Sequence, residues 1–275
     1  MDINLVALDR KFGKDFVVPY TSPQYHVLLF RGKGSFMLDF TSYDFSGDTV
    51  LFFTPYQTFH WLGDEGTEIN VFTFHGDFYC IEQHKKEVAC NGLLFNNIYL
   101  YPHITISNKD YDELQWLLGK IKKEMEQTAQ FSDAVVKAYL QLVLALCSRE
   151  KTLQLQRSDA EIVYNRSIAE VQDIIDQHFI TRRDVAFYAS MLGLSPNAFT
   201  KRTKQYFGKT PTRLIQDRVI LEAKKMLHLS YSSVKEIAAK LHFDDEFYFS
   251  RYFKKAVGLS PAHYRDQVGV SIVAK

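Results

Sequence analysis

The sequence predicts an α+β protein of two domains: a β-rich N-terminal half closed by a helical hairpin, then an all-helical C-terminal half. Three observations carry this. At 275 residues the chain is longer than one typical domain. Its first hundred residues are short apolar runs cut by Gly and Pro, the punctuation of a sandwich or barrel. From Ser167 to about Gln267 the apolar spacing is helical, in short pieces. With 46% apolar and 24% charged residues, the composition excludes disordered, collagen-like and coiled-coil-only chains. Three cysteines (Cys80, Cys90 and Cys147) make no disulfide scaffold and suit a reducing compartment. No basic stretch followed by an apolar one opens the chain, and no run approaches 18 apolar residues, so the expectation is a cytoplasmic protein without a signal peptide or membrane span.

The β elements follow in order. Tyr25 to Phe30 is apolar, Gly32 and Gly34 break it, and Ser35 to Phe40 resumes. Gly47-Asp48 leads into Thr49 to Phe53, stopped by Pro55; Gly63 to Gly66 is a turn and Glu68 to Phe74 another β-rich run. Tyr111 to Gln127 then carries Leu114, Leu117, Leu118, Ile121 and Met125 at helical spacing. Asp133 to Ser148 does the same with Val135, Val136, Tyr139, Leu140, Val143 and Leu146. The polar link between them predicts an antiparallel hairpin. The apolar face of the second helix is wide enough to be buried against two things, which makes the 111–148 pair a candidate dimer surface, with Leu140 and Leu146 facing the partner. The expected division is 1–148, a linker or linker helix at 149–166, and 167–275.

Net charge is +1 overall but uneven. Residues 165–275 hold 18 Lys and Arg against 11 Asp and Glu, a net +7; residues 1–164 hold 15 against 21, a net −6. A basic module beside an acidic one suits a nucleic-acid-binding domain with a separate control domain. The basic half also contains a repeat. Phe199, Thr200, Lys201, Lys204, Gly208 and Pro211 match Phe249, Ser250, Arg251, Lys254, Gly258 and Pro261 at a constant offset. In the first copy Asp184 to Leu192 reads as a short helix, Gly193 as a tight turn, Ser195 as an N-cap, Pro196 as the first helical residue and Gly208 as the stop. In the second, Ser233 and Glu236 form a capping box, His242-Phe243 turns the chain, and Asp244 or Asp245 caps the helix that ends at Gly258. Helix, short turn, basic helix is a helix-turn-helix, here twice.

This array resembles the two-motif DNA-binding domain of AraC-type transcriptional regulators. The resemblance rests on Phe249-Ser250-Arg251-Tyr252-Phe253-Lys254-Lys255, then Gly258-Leu259-Ser260-Pro261 and Tyr264-Arg265, with Arg218, Ala223 and Leu227 in the connecting helix. Two residues depart from the pattern: Thr203 replaces a large apolar residue, and His242 a frequent Gly. More loosely, the N-terminal half resembles that family's cupin-like β-barrel sensor with its dimerising helical pair. The resemblance implies a regulated dimer that activates or represses transcription, with double-stranded DNA as partner and RNA polymerase and a small-molecule effector as further candidates.

On this reading Asn197, Thr200 and Lys201 of the first recognition helix, and Glu246, Phe247, Ser250 and Arg251 of the second, face bases, Arg251 foremost because a guanidinium can bond a guanine edge at two points. Lys204, Arg218, Lys254 and Lys255 are the phosphate candidates. Tyr20, Tyr25, Phe36, Phe53 and His60 are candidate effector-pocket residues. Metal chemistry finds little support. Arg31 to Phe40 lacks the His and Glu of a cupin metal motif, which leaves His60 alone, while a metal needs about three protein ligands. His75, Asp77, Cys80, His84 and Cys90 have suitable residue types, but their spacing matches no standard zinc arrangement. No cofactor and no catalytic constellation is expected. The rivals are a cupin-type metalloenzyme with a helical appendage and a protein-binding module without DNA affinity.

Overall fold

A computed structural model of the chain describes residues 5–39, 41–79, 93–95, 97–127, 131–157 and 162–270. It divides into two compact units, Met1–Asn97 with Tyr101–Gln156, and Ile98–Leu100 with Arg157–Lys275.

The first unit is built on six antiparallel strands: β1 (Val6–Phe12), β2 (Tyr25–Leu38), β3 (Thr41–Phe53), β4 (Phe59–Trp61), β5 (Glu68–Phe74) and β6 (His103–Ile106). Their order is β1-β5-β2-β3-β6, with β4 paired to β2. The expected break at Gly32 and Gly34 does not occur. β2 and β3 form one long hairpin in which Gly32 faces Gly47. Both glycines have positive φ, +127° and +93°, which L side chains rarely adopt. The ladder runs on unbroken through this glycine pair. On one side of the glycine pair β2 pairs with β5 and β3 with β6; on the other β2 pairs with β4. The expected closed barrel is not formed among the described residues: β1 and β6 end the path. β6 offers only four residues before Ser107 caps the next helix, too few to carry the ladder on.

Both faces of the hairpin are buried on the β5 and β6 side. Val27, Leu29, Val50 and Phe52 point to α1 (Asn108–Glu126) and α2 (Ser132–Arg157), meeting Leu114, Leu118, Ile121, Leu140 and Leu144. Leu28, Phe30, Leu51 and Phe53 point the other way into an aromatic cluster with Phe16, Phe36, Phe45, Phe59 and Trp61. Burial on both faces explains why these runs read as continuously apolar and not as alternating. α2 continues to Arg157, through residues expected to belong to the linker.

The second unit is helical: α3 (Ile162–His178), α4 (Val185–Met191), α5 (Pro196–Phe207), α6 (Pro211–Leu229), α7 (Val234–Lys240), α8 (Glu246–Val257) and α9 (Pro261–Val268). Its core gathers buried Tyr188, Phe199, Leu214, Val219, Leu227, Ile237, Phe249, Phe253 and Tyr264. Among the described residues no helix is long and apolar enough to cross a membrane.

Candidate nucleic-acid interface

Local chemistry sets the two motifs. Asp184 caps α4 by accepting from Phe187 N–H at 2.8 Å, and Ser195 caps α5 by accepting from Ala198 N–H at 3.2 Å. The Ser233–Glu236 capping box opens α7. Of the two aspartates proposed for α8, Asp245 is the cap, accepting from Phe247 and Tyr248 N–H at 3.0 and 2.9 Å. Gly208 and Gly258 both end their helices in the left-handed region, and Thr210-Pro211 and Ser260-Pro261 start the next ones alike.

The outcome is a matched pair of surfaces. From Asn197 to Gly208 and from Phe247 to Gly258, buried, half-buried and exposed positions succeed one another in the same order, residue for residue. Phe199, Thr203 and Phe207 point inward in α5, as do Phe249, Phe253 and Val257 in α8. Asn197, Lys201 and Lys204 are exposed on α5; Phe247, Arg251, Lys254 and Lys255 are exposed on α8. Thr200, Glu246 and Ser250 are half-buried, and the Thr200 hydroxyl donates to the Pro196 carbonyl at 2.9 Å. Arg218 is differently placed. Its guanidinium lies 2.7 Å from Asp176 and 3.1 Å from Glu222, and stacks 4.0 Å over the Phe179 ring, so a phosphate would have to compete with two carboxylates. One surface residue escaped the sequence reading. Tyr248, 52% exposed beside Phe247 at 71%, sits in the aromatic run Phe247-Tyr248-Phe249, where periodicity alone does not say which ring faces out.

The pocket candidates of the first unit do not converge. Tyr25 lies in the helix-facing cluster, stacked on Phe74 at 5.2 Å, whereas Phe36 and Phe53 lie in the opposite cluster, with Tyr20 packed against it. His60 is half-buried on β4. A buried imidazole beside these candidates is His26, which sequence reasoning passed over inside an apolar run. Its Nδ1 is 2.9 Å from the Gln24 carbonyl, its Nε2 3.3 Å from the Tyr20 hydroxyl, and its ring stacks on Phe53 at 4.2 Å. Burial pushes its pKa down to about 3. In the possible metal cluster, buried His75 and Asp77 are 3.3 Å apart. Cys80, His84 and Cys90 lie outside the described residues.

Residues 188–267 match the family model described as a helix-turn-helix domain. The MmsAB operon regulatory protein of Pseudomonas aeruginosa is 35% identical over 92 residues, covering 34% of this chain and 30% of that protein. The arabinose operon regulatory protein of Escherichia coli K12 is 32% identical over 101 residues, 37% of this chain and 35% of that protein. Over this domain the chain is similar to AraC-type regulators. Its matches to these two operon regulators span about a third of their length. A longer alignment, 22% identical over 246 residues, covers 88% of this chain and 84% of the HTH-type transcriptional activator RhaR of Enterobacter sp. 638. By name these relatives are regulators, not enzymes. Both departures from the AraC-type pattern are accommodated. Thr203 is fully buried, and its hydroxyl donates to the Thr200 carbonyl at 3.1 Å. His242 takes φ +53°, as Gly193 takes +65° in the first AraC-type motif. The turns make equivalent bonds, Leu194 N–H to Ala189 O and Phe243 N–H to Ala238 O, each 2.9 Å.

Proposed function

We propose that the chain is a sequence-specific transcription regulator that binds double-stranded DNA through its second unit, under control of its first. The carrying observation is the pair of recognition helices with the same order of exposure and lysines at their outer ends. Two such helices fixed in one chain meet successive major grooves, so the site holds two contacted blocks about 10 base pairs apart. Asn197, Thr200 and Lys201 read one block; Glu246, Phe247, Ser250 and Arg251 read the other. Lys204, Lys254 and Lys255 hold phosphates, which fixes register without reading sequence; Arg218 joins them only by leaving its carboxylates. The test is selection of duplexes from a random library by the purified chain. Recovery of two conserved blocks at that spacing, bound with a steep salt dependence, is the expected result. Absence of any enriched sequence would sink the reading.

The regulator acts as a dimer through α2, on a face shifted from the one read in the sequence. Leu140 is fully buried in the core of the first unit and is not available to a partner. Among the apolar positions left outward or half-outward, Val135, Tyr139, Leu142, Leu146 and Leu153 follow the four-and-three spacing of a coiled-coil seam interrupted at Arg149, with Tyr139 and Leu146 also packing on the core and Leu155 exposed off the stripe. A second copy of α2 is the partner that such a stripe suits. We assign control to the first unit as a whole, since Tyr25 lies in one of its clusters while Phe36, Phe53 and adjoining Tyr20 lie at the other.

A further inference from the structure

Arg183 stands just before the Asp184 cap of α4. An apolar residue at that position commonly packs against its own helix. Arg183 reaches elsewhere, to partners 58 residues further along the chain. Its Nη2 donates to the carbonyl of Leu241, which ends α7. Its Cζ lies 3.8 Å from the centroid of the Phe243 ring. Phe243 is buried in the turn of the second motif and meets the rings of Phe249 and Tyr252 of α8 at 5.1 and 5.3 Å. One side chain from the entry of the first motif is thus bound to the turn of the second, at the root of its recognition helix.

The covalent connection between the motifs is α6, 19 residues and so about 28 Å long. Each motif also packs on α6, the first through α5 and the second through α7 and α9; Arg183 adds a direct bridge from one motif to the other that restrains their swing about that helix. We propose that Arg183 is a positioning residue for DNA recognition, locking α5 and α8 at one separation so that the protein rejects any change in spacing between its two DNA blocks. This rests on the DNA-binding function proposed above. Inserting one base pair moves a block by about 3.4 Å and turns it by about 35°. A locked pair of helices cannot follow that shift, whereas a hinged pair can.

The experiment measures Kd by fluorescence anisotropy for the full chain on its selected duplex, and on duplexes with one base pair inserted or deleted between the blocks. Wild type should lose about tenfold or more on either change, the scale of one mismatched contact or two. Arg183→Met keeps the stem but neither the donor nor the cation. It should bind the correct spacing severalfold more weakly and lose only about twofold on the shifted sites. Arg183→Lys, which can still donate to Leu241, should fall between. Phe243→Leu removes the stacked ring from the other side, should relax the spacing in the same way, and decides the question if the Met variant does not fold by circular dichroism. A residue that only stabilises the fold would lower the melting temperature and leave the ratio of shifted to correct sites unchanged; that result overturns the proposal. Wild type that binds its site but loses nothing on the shifted duplexes overturns it alone. Wild type that binds no duplex overturns the DNA-binding reading and this inference with it.

Discussion

Arg251 is exposed on the outer face of α8, two positions before the buried Phe253 that anchors the same turn. A guanidinium there can form paired bonds to a guanine edge, worth about 1–3 kcal/mol of discrimination. Arg251→Ala should therefore relax one position of one block while leaving the other block intact. Library selection with both proteins measures this; identical selected sequences with weaker binding would make Arg251 a phosphate contact instead. His242 offers a test of backbone chemistry. A left-handed conformation costs an L residue about 1–2 kcal/mol. The added chain freedom of Gly returns about 0.5–1 kcal/mol of that to the unfolded state. His242→Gly should accordingly raise stability by up to about 1 kcal/mol, seen as a melting temperature a few degrees higher. A fall would show that the imidazole itself holds the turn.

Among the elements, α2 has a buried apolar face and the outward stripe proposed as the dimer surface, and the two can be tested apart. Leu142→Glu with Leu153→Glu alters exposed positions and should give monomers in sedimentation without loss of helical signal. Leu140→Glu should instead unfold the first unit, because Leu140 is fully buried. Unchanged dimers in the first variant would remove this face from consideration. That separation was not legible in the sequence, where Leu140 and Leu146 share one wide apolar face. The helices of the second unit were legible, because Ser195, Pro196, Gly208, Ser233 and Glu236 act on backbone groups within a few residues of themselves. The strands were less so. Gly32 and Gly34 read as breakers, yet the ladder runs through both opposite β3, and a partner across a ladder leaves no local mark. Arg183 was invisible for the same reason, its partners being 58 residues away.

For the whole molecule, acid should act first on the unit that holds His26. Unfolded, that imidazole takes a proton near its ordinary 6.5; folded, it does so only near 3. Between those values the unfolded chain binds the extra proton, so the stability is complete above pH 6.5 and declines as pH falls toward 3. His103, drawn down to about 4 by burial and then by Lys151, adds a decline of the same sign. The His26 contribution amounts to roughly 3 kcal/mol by pH 4, at 1.36 kcal/mol per unit. Melting curves from pH 7 to pH 4 should show a transition that drops steadily, and His26→Gln should flatten it; equal slopes would mean that other groups govern the acid response. The doubly buried hairpin has its own consequence for how the chain is made. Tyr25 to Phe30 and Val50 to Phe53 leave the ribosome long before α2 is complete at Arg157. At about 5–20 residues per second, these aggregation-prone segments wait on the order of ten seconds for the helices that cover them. A fragment ending before Asn108 should therefore be synthesised as an insoluble product, and a chaperone that shelters β-rich segments during translation should raise the yield of the intact protein.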